Sequence, residues 1–109
     1  MCECNDCCSP VRDFGWALNC LKQGKAVTRR GWNGKGMFLT LQPGSTVEGQ
    51  MMRNEPAKQF YGEGKVKIVA HIDMKAADGT YVVGWNPSQV DMLAEDWEFP
   101  EDCELTEER

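Results

Sequence analysis

The chain has 109 residues, 41% of them hydrophobic, with 17 acids against 12 bases and a net charge of -5. That length gives one domain near the lower limit for a single sufficient core, so oligomerisation would be a natural supplement. The apolar runs are far too short to span a bilayer, and the start, Met1-Cys2-Glu3-Cys4, lacks the basic and apolar segments of a leader, so a membrane location is not expected and a cytosolic one is.

The charge is unevenly placed. Residues 91–109 hold nine acids and one base, which leaves eight acids and eleven bases in residues 1–90. No acid lies between Asp13 and Glu48, where Lys22, Lys25, Arg29, Arg30 and Lys35 stand together. A compact anionic ligand suits that cluster better than a nucleic acid polymer, whose phosphates the acidic end would repel.

Residues 1–12 show no apolar periodicity and predict a Cys-rich, flexible extension. Cys2, Cys4, Cys7 and Cys8 make a tract able to grip a soft metal, but they do not form two separated Cys-x-x-Cys pairs and no histidine is near. A reduced tail is expected in preference to structural zinc or a disulfide framework, and Cys20 and Cys103 look unrelated to it. Asp13 then caps a short helix in which Phe14, Ala17, Leu18 and Leu21 recur at three- and four-residue spacing, with Gly24 as its stop. Trp16 and Cys20 flank that apolar face as packing residues, and the face must lie on a sheet.

Residues 26–29 predict a first short strand and residues 37–42 a second. Between them runs Arg29-Arg30-Gly31-Trp32-Asn33-Gly34-Lys35-Gly36, with three glycines, an indole, an amide and three cations. Asn33-Gly34 favours a turn, which would leave Trp32 at its lip, while the arginines offer planar forks and the lysine a point charge for phosphate. The alternative is a hairpin turn whose tryptophan folds back into the core. Residues 45–65 predict a long loop, with a helical turn begun by Asn54 and Pro56, whose Met51, Met52, Phe60 and Tyr61 are apolar enough to cover a site or a neighbouring subunit.

Val66, Ile68, Ala70 and Ile72 alternate with Lys67, Val69, His71 and Asp73, the pattern of one strand. Asp78-Gly79 turns the chain and residues 80–83 return it as a hairpin. After Gly84-Trp85, Asn86 is read as a cap, Pro87 as the first helical residue and Gln89 as the partner in a capping box. The short helix through Val90, Met92 and Leu93 would offer its amino end and the Ser88 hydroxyl to an anion or a ribose. Residues 96–99 predict a last strand with Trp97 in the core, and residues 101–109 an acidic, disordered tail. The fold class is α+β: a small antiparallel sheet, a short amino-terminal helix packed on it and a second short helix near the carboxyl end, in one domain spanning residues 13–100.

Two features would meet in such a fold, the turn around Trp32 and the segment from Trp85 to Asp91. Together they supply two indole faces, amides, a hydroxyl, a carboxylate and guanidinium donors, an inventory suited to a nucleotide. For catalysis the inventory is poor. The sequence has no P-loop and no nucleophile elbow; the single histidine, His71, shares a strand face with Asp73, which leaves one candidate hydrolytic pair, and enzymatic activity is not expected.

The order Phe14-Gly15-Trp16-Ala17-Leu18, Arg29 through Leu39, His71-Ile72-Asp73-Met74-Lys75-Ala76-Ala77-Asp78-Gly79, Gly84-Trp85 and Ser88 through Trp97 resembles the second Thoeris anti-defence family, over roughly residues 13–99. The resemblance implies a phage protein that binds the glycocyclic ADP-ribose signal of TIR proteins and holds it intact in the cytoplasm of the infected bacterium. It also implies a homotetramer with pockets between subunits, and in some relatives a second ligand class of cyclic oligonucleotides. By position it assigns Trp32 and Trp85 as platforms for a base or ribose, Asn33, Gln89 and Asp91 as polar readers, and Arg29 or Arg30 as phosphate donor. Gly34, Met74 and Ser88, from the quoted motifs, complete the expected ligand-binding set, and no cofactor or metal is implied. The extension and the acidic tail are additions to the family pattern, and the 45–65 segment is where the accepted signal would be decided. A virion or assembly protein with no small-molecule ligand, and a metal-binding module driven by the amino-terminal cysteines, are the alternatives.

Overall fold

The structure is a computed structural model that describes residues 12–32 and 35–100. The cysteine tract, the Asn33-Gly34 turn and the acidic tail lie outside the described residues. Helix α1 (Phe14–Lys22) begins where Asp13 accepts the backbone N–H of Trp16 at 2.9 Å. It buries Trp16, Ala17, Cys20 and Leu21, positions spaced one, three and one apart and therefore on one face. These pack with Val27, Leu39 and Trp97 into one core, where burial of each large apolar side chain contributes about 1.5–3 kcal/mol.

The strands are β1 (Thr28–Arg29), β2 (Phe38–Gln42), β3 (Ser45–Glu48), β4 (Lys65–Ile68), β5 (His71–Lys75), β6 (Tyr81–Val83) and β7 (Trp97–Glu98). The fold is α+β, but the strands form three small sheets: β1 with β7, β2-β5-β6, and β3 with β4. Val27 and Leu39 form an antiparallel bridge, exchanging backbone hydrogen bonds of 3.2 and 2.8 Å. Arg12 bridges Asp96, and its carbonyl accepts the N–H of Trp97 at 3.2 Å.

The described chain divides into two compact units, one made of the residues up to Leu41 and from Ile72 onward, the other of Gln42–His71. The second unit corrects the predicted 45–65 loop. β3 and β4 pair antiparallel, with Glu48 opposite Lys65 and a 2.8 Å ion pair between them. A 3-10 turn (Gly49–Met51) and helix α2 (Glu55–Tyr61) fill the connection, and the Asn54 side-chain amide oxygen accepts the Ala57 N–H. Met51 and Phe60 are exposed on this unit.

The single strand predicted from Val66 to Asp73 is two strands in different sheets. The chain leaves regular structure at Val69-Ala70, and the buried position of β5 is Asp73 rather than an apolar residue. The predicted β5–β6 hairpin forms as read, with Asp73 opposite Val83, and Asp78 accepts both the N–H and the hydroxyl of Thr80 in its turn. Helix α3 (Gln89–Leu93) corrects the predicted cap: Ser88, not Asn86, is the N-cap, and Asp91, not Gln89, closes the capping box. Ser88 prevails because an aspartate stands three residues after it, which lets the two side chains satisfy each other's backbone N–H.

Candidate functional site

The centre of the site is Arg29, placed by the β1–β7 register opposite Trp97. Its guanidinium fork holds two carboxylates. Nε and Nη2 donate to Asp96 at 2.8 and 3.3 Å, and Nη1 donates to Asp91 at 2.9 Å. Arg29 and Asp91 are each 12% exposed as side chains, so the pair is largely out of water. The hydrogen bond to Asp96 raises the Arg29 pKa against the opposing effect of burial.

Asp91 gathers donors from three segments. One carboxylate oxygen takes Arg29 Nη1 and the Trp32 indole N–H at 3.1 Å, and the other takes the Ser88 N–H at 3.0 Å. Its backbone N–H donates to the Ser88 hydroxyl, and its backbone carbonyl receives the Trp97 indole at 3.2 Å. Burial alone would push the Asp91 carboxyl up; the Ser88 N–H, Trp32 and Arg29 outweigh it and hold the group below its ordinary value. Asp96 behaves alike, with burial outweighed by Arg29 and by the Gly31 N–H.

Trp32 is half-buried, and its ring meets two others edge-on: Trp97 at 5.5 Å between centroids and Trp85 at 6.3 Å. Trp85 is also half-buried and packs against the same core, as does Met74 on β5. The backbone delivers Trp85 there through Gly84, whose φ of +84° is a conformation side-chain-bearing residues resist. Asp73 accepts the Gly84 N–H at 3.0 Å and the Ile72 carbonyl accepts that of Trp85 at 2.7 Å, pinning both ends of that peptide.

The structure therefore brings together Arg29, Trp32, Trp85, Ser88 and Asp91. Arg30 does not join this cluster: its side chain is 75% exposed, and its guanidinium pairs with the buried Glu98 at 3.0 Å. Gln89 is exposed on the first turn of α3, and Asn33 and Gly34 lie outside the described residues. Trp32 is neither the unsupported ring of a turn lip nor a wholly buried core residue. Asp73, Asp96 and Glu98 are the positioning groups that sequence reasoning missed. A signal existed for two of them: Asp96 and Glu98 flank Trp97 on one predicted strand, as a complement to the adjacent cations Arg29 and Arg30.

Residues 12–99 match the family model described as the Thoeris anti-defense 2-like domain. A curated relative, Thoeris anti-defense 2 of Bacillus phage SP01, is 41% identical over 92 residues, covering 79% of this chain and 91% of its own length. The motifs that frame the indole pair, from Arg29 to Trp32 and from Trp85 to Trp97, all fall inside the matched span, and the chain belongs to the Thoeris anti-defense 2-like domain family.

Proposed function

We propose that this protein is a phage anti-defence factor that binds a nucleotide immune signal of the glycocyclic ADP-ribose type and sequesters it without degrading it. The observation that carries the reading is the pair of half-buried indoles, Trp32 and Trp85, held edge to face at 6.3 Å, with Trp32 and the Arg29 guanidinium sharing one Asp91 oxygen. Half-buried rings of fixed orientation are suited to stacking on a base, which contributes about 1–3 kcal/mol per base. The 41% identity to a protein named for anti-defence supports the biological role.

Of the two arginines, Arg30 has the more exposed side chain and is assigned the phosphate contact, although its guanidinium also pairs with Glu98; Arg29 is largely buried between two carboxylates. Sequestration also agrees with the state of the acids. Asp91 and Asp96 are held ionised below their ordinary range by several donors each, which makes them weak proton acceptors, and Asp73 is committed to the Gly84 N–H. Exposed Tyr81, Val82 and Val83 on β6, with Val90, Met92 and Leu93 on α3, supply apolar surface for a homo-oligomer, which the proposal takes to be a tetramer. Cyclic oligonucleotides are a second ligand class within the proposal, and the host cytoplasm is its site of action.

The test is to mix the protein with glycocyclic ADP-ribose, remove unbound nucleotide by filtration, heat-denature the protein and weigh the released molecule by mass spectrometry. Recovery of the intact nucleotide is expected. A changed mass would make the protein an enzyme, and passage of all nucleotide through the filter would remove this ligand from the proposal.

A further inference from the structure

We propose that Asp91 is a positioning residue of the indole site: its carboxylate orients the Trp32 ring and Arg29 from behind and makes no contact with ligand. This rests on the reading that Trp32 and Trp85 form the ligand platform. Asp91 sits in the short helix α3, yet the groups it receives come from β1, from the segment after β1 and from the residue before α3. Both of its oxygens are engaged by the protein's own donors, and the residue is 8% exposed. Three donors already take most of the carboxylate's roughly four acceptor sites, and the Asp91 side chain is only 12% exposed, which leaves little of it to a ligand hydroxyl.

The aspartate is itself held rigidly enough to act as a reference point. The reciprocal bonds with Ser88 fix its backbone and side chain together, and the buried Trp97 indole fixes its carbonyl. Against that anchor the Trp32 indole N–H makes a charge-assisted bond at 3.1 Å, of a kind roughly twice as strong as a neutral one. An indole has two side-chain torsions; this bond, with the edge contacts to Trp97 and Trp85, restricts both. A ring already oriented loses little freedom when a base stacks on it, which slows dissociation.

The experiment follows the tryptophan indole N–H signals of the full-length protein by nitrogen-15 NMR, alongside affinity for glycocyclic ADP-ribose. In Asp91→Asn the amide nitrogen must face one of the three donors and the remaining oxygen carries no charge, so the bond that orients Trp32 is weakened even where the oxygen stays toward it. Its indole signal is expected to shift and exchange faster, and affinity to fall at least about tenfold through faster dissociation. The Trp97 signal, which reports a bond to the Asp91 backbone, is expected to stay and serves as the marker of folding.

An unchanged Trp32 signal in Asp91→Asn with weaker binding would mean that Asp91 touches the ligand, which overturns the proposal. A shifted signal with unchanged affinity overturns it as well. Should Asp91→Asn unfold and lose the Trp97 signal too, the wild type decides: a Trp32 indole proton exchanging as fast as an exposed one is the overturning result. Failure of the wild type to bind the nucleotide would instead sink the functional reading, while the indole signals would still show whether Asp91 sets the ring.

Discussion

The carboxylate of Asp91 accepts the indole N–H of Trp32 across 59 residues of sequence, at 3.1 Å, and through the same oxygen it accepts Arg29. One atom thus joins the strand that starts the cationic turn to the helix that follows Trp85. Arg29 is suited to this because its planar fork serves Asp91 and Asp96 at once, whereas a lysine ammonium cannot reproduce both directions. Arg29→Lys is expected to lower stability by about 1–3 kcal/mol, read as a lower urea midpoint at unchanged slope. A change below a few tenths of a kcal/mol would show that the fork geometry contributes nothing.

The two carboxylates also set an acid limit. Both are held below the ordinary value of 3.8 because their donors outweigh burial. A carboxyl with a depressed folded pKa adds stability that is complete above its unfolded value and is lost as pH falls through the folded one. Stability is therefore expected to be insensitive to these groups above about pH 5 and to drop below about pH 4. Urea midpoints measured from about pH 2 to about pH 6 test this, and Asp96→Asn is expected to flatten the acid limb. A wild-type midpoint that stays level through the acid range would refute the assignment.

Gly84 places Trp85. A Cβ there would meet nothing within 4 Å, so the cost of Gly84→Ala is conformational strain at φ +84°, about 1–2 kcal/mol, and not a clash. Gly24, at φ +88° and equally open, carries the same strain far from Trp85 in sequence. Both alanine variants are expected to lose similar stability, but only Gly84→Ala is expected to weaken nucleotide binding. Equal binding in the two variants would detach Trp85 from the site.

Trp85→Ala and Arg30→Ala separate stacking from phosphate contact. Loss of a stacking ring is expected to weaken nucleotide binding by about 1–3 kcal/mol, and titration calorimetry should find this at all salt concentrations. Arg30→Ala is expected to weaken binding mainly at low ionic strength, because an exposed charge is screened within a Debye length of about 8 Å at physiological salt. Salt-independent loss in Arg30→Ala would place its role in packing or in the pair with Glu98.

Local signals in the sequence were enough for α1 and for the β5–β6 hairpin. Asp13 and the spacing of Phe14, Ala17, Leu18 and Leu21 specify the helix, although its buried face is Trp16, Ala17, Cys20 and Leu21 with Phe14 and Leu18 at the margin, and Asp78-Gly79 specifies the turn. The alternation from Val66 to Asp73 misleads because a period of two does not register where one strand ends and another begins. Residues 45–65 carry their strand and helix in short pieces, each stabilised by pairing with β4 or by the Asn54 cap rather than by a visible periodic face. The residues that the structure brings together, Trp32, Trp85, Ser88 and Asp91, were legible as a candidate inventory but not as a set of partners. Whether Asp91 faces outward or inward depends on Arg29 and Trp32, partners about 60 residues away, and no spacing rule reports that.

Trp32 is at once a wall of the core and a face of the indole pair. Folding and occupancy then become coupled equilibria, since any molecule that seats against that ring binds the native state and not the unfolded chain. At a hundred times its dissociation constant, such a molecule adds about 2.7 kcal/mol to native stability. For a domain of this size that is a rise of roughly 10–20 °C in melting temperature, so a thermal-shift screen of small anions would rank candidate signals without a label or an activity assay.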